Sequence, residues 1–450
     1  MLSYIQSLSR KLGIDGAIAY TVLSRCVQAG GGLVSIIFIA KHLTKIEQGY
    51  YYTFGSILAI QIFFELGLSN IITQYVAHEM AHLTWNGKSD IQGDEASMSR
   101  LSSLLHFCIK WFGIMAIILV VILIIAGNVF FNTYNHGDTY VNWQSPWIIL
   151  CISTAGSLMI SPILSFFEGL SKVKEVAMMR LVQQVFQLTL LYIFLSLGLK
   201  LFSSPLAAII TFFIVPIWVL VSYKFVLLKN IWNKLTFYKV NYRLEIFPLQ
   251  WKIALSWISG FFIFQLFNPV LFATEGPIVA GQMGMTLAAL NGVMSISMSW
   301  INTKVPVFSN LIALKDFKEL DRVFAVVVRQ SSLICGAALG FLLLIVFTLK
   351  YFELQIGNRF LPFFPLILLC TATFVNQLIS ALATYLRCHK EEPFLVQSIV
   401  MGLLTAASTF ILGHAFGLNG IVIGYSALVI IGSLIWSLLI FYKKRELWHT

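Results

Sequence analysis

The sequence has 450 residues, of which 58% are hydrophobic and 11% charged, with a formal net charge of +11 and a mean hydropathy of +0.84. That apolar content excludes an ordinary soluble domain and leaves a polytopic membrane protein. The basic excess collects in the connections of one membrane side and needs no nucleic acid to explain it, while six cysteines without CxxC spacing argue against a disulfide framework or a zinc site.

A spanning helix needs about 20 apolar residues, and twelve such runs follow one another: 17–40, 49–77, 101–127, 145–168, 176–198, 204–228, 251–274, 278–303, 326–350, 361–386, 393–414 and 419–442. The expected fold is an all-α polytopic membrane protein of about twelve transmembrane helices, divided into an N-terminal lobe (1–228), a cytoplasmic linker (229–250) and a C-terminal lobe (251–450). Of the 30 Lys and Arg, only Lys41, Lys45, Lys200, Lys350 and Arg359 fall in outer connections, and Arg25 and Lys110 lie within spans. The rest place both termini on the cytoplasmic side. The leader carries Arg10 and Lys11 but no small-residue cleavage site, so the first span reads as an uncleaved anchor.

In chain order, the first span sets Thr21, Arg25, Gln28, Gly32 and Ser35 on one helical face. Arg25, roughly 12 Å into the helix, either snorkels back to the interface or faces a cavity where a phosphate or Glu65 meets its charge. The second span repeats the pattern with Gln61, Glu65, Ser69 and Thr73 at steps of four. A carboxylate at mid-membrane costs about 2.5–3.5 kcal/mol, so this stripe is expected to face protein or a water-filled cavity. The same segment ends in His78, Glu79 and His82, the HExxH pattern of zinc proteases. A third ligand is lacking, since Asp90, Asp94 and Glu95 lie in the following loop, 83–100, which reads as an ordinary connection. An enzyme and a metal are therefore not expected.

The third span carries His106 and Lys110, and the fifth sets Arg180, Gln184 and Gln187 on one face. The linker 229–250 is basic and aromatic, as solvated segments with interface anchors are. Later stripes comprise Asn291, Ser295, Ser299 and Asn302 in the eighth span, and Thr373, Asn376 or Gln377, Ser380, Thr384 and Arg387 in the tenth. Any one stripe is explained by hydrogen bonds between helices; recurrence on several spans favours a shared lumen. Pro162, Pro216, Pro269 and Pro306 mark expected helix breaks.

Gln48-Gly49-Tyr50, followed by Glu65-Leu66-Gly67-Leu68-Ser69-Asn70 and Gln74-Tyr75, together with the twelve-span layout and the mirrored fourth and tenth spans, resembles the bacterial O-antigen (Wzx-type) polysaccharide flippases. These belong to the superfamily of multidrug extruders and lipid II flippases. The resemblance implies two six-helix lobes around a central cavity, alternating access, no cofactor, and coupling to an H+ or Na+ gradient. It further implies movement of an undecaprenyl-pyrophosphate-linked oligosaccharide from the inner to the outer leaflet of the bacterial inner membrane. The implied partners are this lipid-linked oligosaccharide, membrane lipids, and a polysaccharide polymerase and chain-length regulator, with no nucleic acid. Charge-assisted bonds from Arg25, Lys110 and Arg180 suit a pyrophosphate. Gln28, Gln61, Asn291, Asn302, Asn376 and Gln377 are neutral donors and acceptors of the kind sugars need, and Glu65 completes the expected substrate-binding set. The multidrug branch often has an acidic residue in the first span, which 17–40 lacks. A cation-coupled multidrug or small-molecule antiporter of the same superfamily is the alternative. A lipid-linked glycan polymerase or ligase is disfavoured by the short outer connections.

Overall fold

The computed structural model describes residues 16–134, 141–389 and 391–449. Helix α1 runs Gly16–His42 and α2 runs Lys45–Leu58; a 3-10 turn, Ala59–Gln61, one helical turn, α3 (Ile62–Glu65), and α4 (Leu68–Met80) complete the second apolar run. A hairpin of β1 (Leu83–Asn86) and β2 (Asp90–Gly93) leads to α5 (Glu95–Thr133), α6 (Gln144–Gly169), α7 (Val173–Ser196), α8 (Ser203–Phe212), α9 (Ile214–Val221) and α10 (Tyr223–Trp232). Then come α11 (Phe247–Phe264), α12 (Phe267–Glu275), α13 (Pro277–Asn302), α14 (Val305–Ala313), α15 (Phe317–Tyr351), α16 (Phe363–Arg387), α17 (Leu395–Ala427) and α18 (Leu434–His449).

Among the described residues, 11 helical runs are long and apolar enough to cross a membrane. The last, Leu395–Trp448, has 54 residues; at 1.5 Å per residue that is about 80 Å of helix, against a hydrocarbon core about 30 Å thick. It doubles back at Gly417, where φ is 56° and ψ is −138°. Gln397 accordingly donates through Nε2 to the Ser433 carbonyl at 2.8 Å and to Ser437 Oγ at 2.7 Å, and a Cβ on Gly424 would stand 2.3 Å from Ser408 Oγ. The Glu275 carboxylate accepts from the Leu418 N–H, capping the returning arm. This run therefore supplies two crossings, which brings the total to the expected twelve.

The connection after α4, which carries no strand pattern in the sequence, forms an antiparallel hairpin, with Leu83 opposite Gly93 and Trp85 opposite Ile91. Its turn holds Gly87 at φ 74°, a conformation glycine adopts without steric cost. Three of the prolines lie just beyond a break, as the missing N–H requires: Pro216 after the α8–α9 joint, Pro269 after the gap between α11 and α12, and Pro306 after the end of α13. Pro162 sits inside a continuous α6.

The described residues pack into two compact units, the first comprising 16–28, Leu58–Thr133 and 141–257, and the second Ala29–Ile57, Tyr134 and 258–449. In the first unit, Trp147 is fully buried and donates from Nε1 to the Leu123 carbonyl at 3.1 Å. Gly127 makes room for it, because a Cβ there would lie 2.0 Å from that nitrogen. In the second unit, α2 meets α13 at backbone distance: a Cβ on Gly49 would stand 2.0 Å from the Pro277 carbonyl oxygen. Gln48 beside it donates to the Gly281 carbonyl at 2.8 Å and accepts from Arg359 Nη1 at 3.1 Å. Gln48-Gly49 is thus a close-packing motif of the small-residue kind used between membrane helices.

Candidate functional site

A cavity of about 360 Å³ opens within the first unit, walled by three helices at helical spacing. From α6 come Ser157, Ile160, Ser161 and Leu164; from α7, Arg180, Gln183, Gln184 and Gln187; from α8, Ala208, Thr211 and Phe212. Steps of three and four put each set on one face. Phe212 is held against Gly156, where a Cβ would stand 2.5 Å from its ring. The Arg180 guanidinium lies 3.1 Å from Glu168 Oε1, with 48% of its side chain exposed. Thr211 is 4% exposed and its buried hydroxyl has no hydrogen-bond partner among the described residues.

The cavity connects to α1 and to the interrupted second span. The Gln184 amide lies 2.6 Å from Ser24 Oγ. With its nitrogen as donor, it also reaches the Ser24 carbonyl at 3.1 Å and takes the Gln28 N–H on its oxygen at 3.1 Å. A side chain is thereby bonded to two groups that would pair along the helix itself, a known origin of helix bending. On the α6 side, Ser161 Oγ is 3.1 Å from Ser69 Oγ, which donates to Glu65 Oε1 at 2.7 Å. Since the Ser69 hydroxyl hydrogen is committed to the carboxylate, Ser161 donates to Ser69. A hydrogen-bonded chain, Ser161–Ser69–Glu65, therefore leads from the cavity wall to the carboxylate.

The second span is not one continuous helix. Leu66 at φ 48° and Gly67 at φ 70° both adopt the left-handed conformation and separate α3 from α4. Gly67 has a second reason to lack a side chain: a Cβ there would stand 2.4 Å from Ile253 Cγ2 of α11. Helices interrupted at such points are a recurrent feature of transporter sites. The break resets the helical phase, so Gln61 sits half-buried in the 3-10 turn, while Thr73 donates to the Ser69 and Ser165 carbonyls at 3.2 and 3.1 Å. The expected Arg25–Glu65 pair does not form: Glu65 is bonded to Ser69, and Arg25 stands exposed without an ion-pair partner among the described residues.

The HExxH residues are occupied differently from a zinc site. Glu79, 3% exposed, accepts from Arg100 Nε at 2.8 Å, and Arg100 Nη2 donates to Glu245 Oε2 at 2.6 Å. His78 and His82 are exposed, and among the described residues no cluster of three or more His, Cys, Asp or Glu is placed to hold a metal. The Glu79–Arg100–Glu245 triad, with Tyr75 donating to the Glu245 carbonyl at 2.6 Å, ties the linker to α4 and α5. The Glu245 carboxyl is held below the usual carboxylate range by the Arg100 hydrogen bond, burial opposing this and the Asn241 N–H reinforcing it. The linker reads as basic and aromatic in the sequence, and its lone acid, Glu245, carries no spacing that marks it.

The remaining expected residues are dispersed. Lys110 on α5 is exposed, as is Asn291 on α13, and Asn302 is half-buried. In the second unit, Asn376 donates to the Tyr425 hydroxyl at 2.9 Å, and Gln377, fully buried, donates to Ser331 Oγ at 2.8 Å and accepts from Ser332 Oγ at 3.1 Å. The cavity adds Ser157, Ser161 and Thr211, single hydroxyls that leave no periodic signal in apolar helices, and Gln183, one residue off the Arg180, Gln184, Gln187 stripe.

No family model matches the sequence, and no curated protein matches it. Solved structures do. The chain resembles the MATE multidrug transporter DinF-BH at 14% identity and a TM-score of 0.61, covering 97% of this chain and 96% of that one. The lipid II flippase MurJ in an inward closed conformation is similar at 14% identity and a TM-score of 0.57, over 96% of this chain and 90% of that one. A MOP superfamily transporter from Pyrococcus furiosus, whose description reads "reverse polarity of binding pocket", is similar at 13% identity and a TM-score of 0.52, over 95% of both chains. What the protein shares with them along nearly its whole length is the all-α, multi-pass membrane fold of MATE transporters and MurJ.

Proposed function

We propose that this protein translocates a polyprenyl-pyrophosphate-linked oligosaccharide between membrane leaflets by alternating access. The observation that carries the reading is the first-unit cavity, where seven of the eleven described lining residues have polar side chains: Ser157, Ser161, Arg180, Gln183, Gln184, Gln187 and Thr211. Amides and hydroxyls that both donate and accept match sugar hydroxyls, whereas drug-sized apolar ligands favour pockets lined mainly by hydrophobic and aromatic groups. The likeness to MurJ supports a lipid-linked substrate. The same reading places the chain in a bacterial cytoplasmic membrane with both termini inside, energised by an H+ or Na+ gradient and working beside a polysaccharide polymerase and chain-length regulator.

A second reading, cation-coupled multidrug antiport, draws on Glu65, a carboxylate bonded to a hydroxyl and to no cation among the described residues. Purified protein in vesicles carrying a fluorescent lipid-linked oligosaccharide separates the two. If externally added dithionite bleaches the label of both leaflets, rather than only the outer half, translocation is supported. Bleaching of the outer half alone, with gradient-driven tetraphenylphosphonium transport by the same vesicles, supports the antiporter.

A further inference from the structure

Resting on the reading of the first-unit cavity as the place of the oligosaccharide, we infer that this cavity is a neutral-sugar subsite that excludes the pyrophosphate. The reason is charge. Arg180 is the cation in its wall, and Glu168 Oε1 lies 3.1 Å from its Nη2, so the guanidinium charge is already balanced. A second carboxylate, Glu65, is joined to the wall through Ser69 and Ser161. A pyrophosphate entering here would meet one cation against two carboxylates, Glu168 and Glu65, a balance that repels an anion.

A sugar ring fits the same wall well. The Gln183 and Gln187 side chains have no hydrogen-bond partner among the described residues and each offers both a donor and an acceptor. The ion-paired Arg180 and Glu168 present a donor fork beside an acceptor. Ile160, Leu164 and Phe212 supply an apolar patch for the C–H face of a ring. At about 360 Å³ the cavity is near the small end of ligand sites, which span roughly 300–1,000 Å³. That is room for about one or two sugar rings and not for a whole repeat unit with its carrier.

The test uses the full chain in lipid nanodiscs, titrated calorimetrically with N,N′-diacetylchitobiose and with sodium pyrophosphate. The wild type is expected to bind the disaccharide with an affinity unchanged between about 0.05 and 0.5 M salt, since no net charge is neutralised, and pyrophosphate is expected not to compete. Gln183→Ala with Gln187→Ala should weaken the disaccharide by about tenfold, the loss of one or two net hydrogen bonds. Glu168→Gln releases Arg180 and should create pyrophosphate binding that the wild type lacks, a gain that misfolding cannot imitate. Competition by pyrophosphate in the wild type, or disaccharide binding that falls steeply with salt, overturns the neutral subsite while leaving lipid-linked oligosaccharide transport standing. Disaccharide binding unaffected by the glutamine variants overturns its placement. Binding of tetraphenylphosphonium, with neither sugar nor pyrophosphate bound, overturns both the subsite and the transport reading.

Discussion

Replacing Arg100 by Ala removes both bonds of the Glu79–Arg100–Glu245 triad and exposes the energetic asymmetry within it. The Glu79 side chain is 4% exposed and that of Glu245 is 30% exposed. Leaving a buried carboxylate unpaired costs about 3–5 kcal/mol. The half-exposed pair contributes at most about 1 kcal/mol. Most of the penalty of Arg100→Ala should therefore come from Glu79, and Glu79→Gln in the same chain should relieve it, since the neutral amide leaves only about 1 kcal/mol of hydrogen bonding lost. The double variant is expected to be more stable than Arg100→Ala alone by about 2–4 kcal/mol, well above the roughly 0.5 kcal/mol scatter of independent sites. Equilibrium unfolding of the four proteins in mixed dodecylmaltoside–dodecylsulfate micelles measures it. A double variant no more stable than Arg100→Ala would refute the assignment of the cost to buried charge.

Glu245→Gln carries a pH signature. The folded carboxyl of Glu245 lies below the ordinary carboxylate range because Arg100 donates to it. Its stabilisation is therefore complete above the ordinary value and is lost as pH falls through the depressed one; wild type and variant should differ at pH 7 and converge in acid, and a gap that widens in acid would contradict the pairing. On α5, Gly127→Val should cost about 1–3 kcal/mol by overpacking against Trp147, with a change in tryptophan emission. Gly113→Ala on the same helix, where a Cβ meets nothing within 4 Å, should stabilise by about 0.5–1 kcal/mol. Gly417→Ala forces a side chain into a positive-φ position against Glu275 and should cost about 1–3 kcal/mol, read in the same micelles.

The twelve crossings were legible in the sequence because spanning is a local requirement: in lipid each backbone N–H and C=O is satisfied within its own helix, so hydropathy alone locates the segments. The α7 stripe was legible for a similar reason, since 3.6-residue periodicity fixes which side chains share a face, and Arg180, Gln184 and Gln187 do line one cavity. Periodicity does not say what the opposing helix presents. That alone separated the polar groups consumed by neighbours from those left open to a ligand: Gln377 is bonded to Ser331 and Ser332, Glu65 to Ser69, and Glu79 to Arg100, while Gln183 and Gln187 stand in a cavity wall. The balance of charge at Arg180 was likewise out of reach, because Glu168 lies on another helix and meets it only once α6 and α7 are packed. Helix, span and face are properties of a segment and its solvent, and the sequence determined them; partner, cavity and net charge are properties of packed neighbours, and only the tertiary structure decided those.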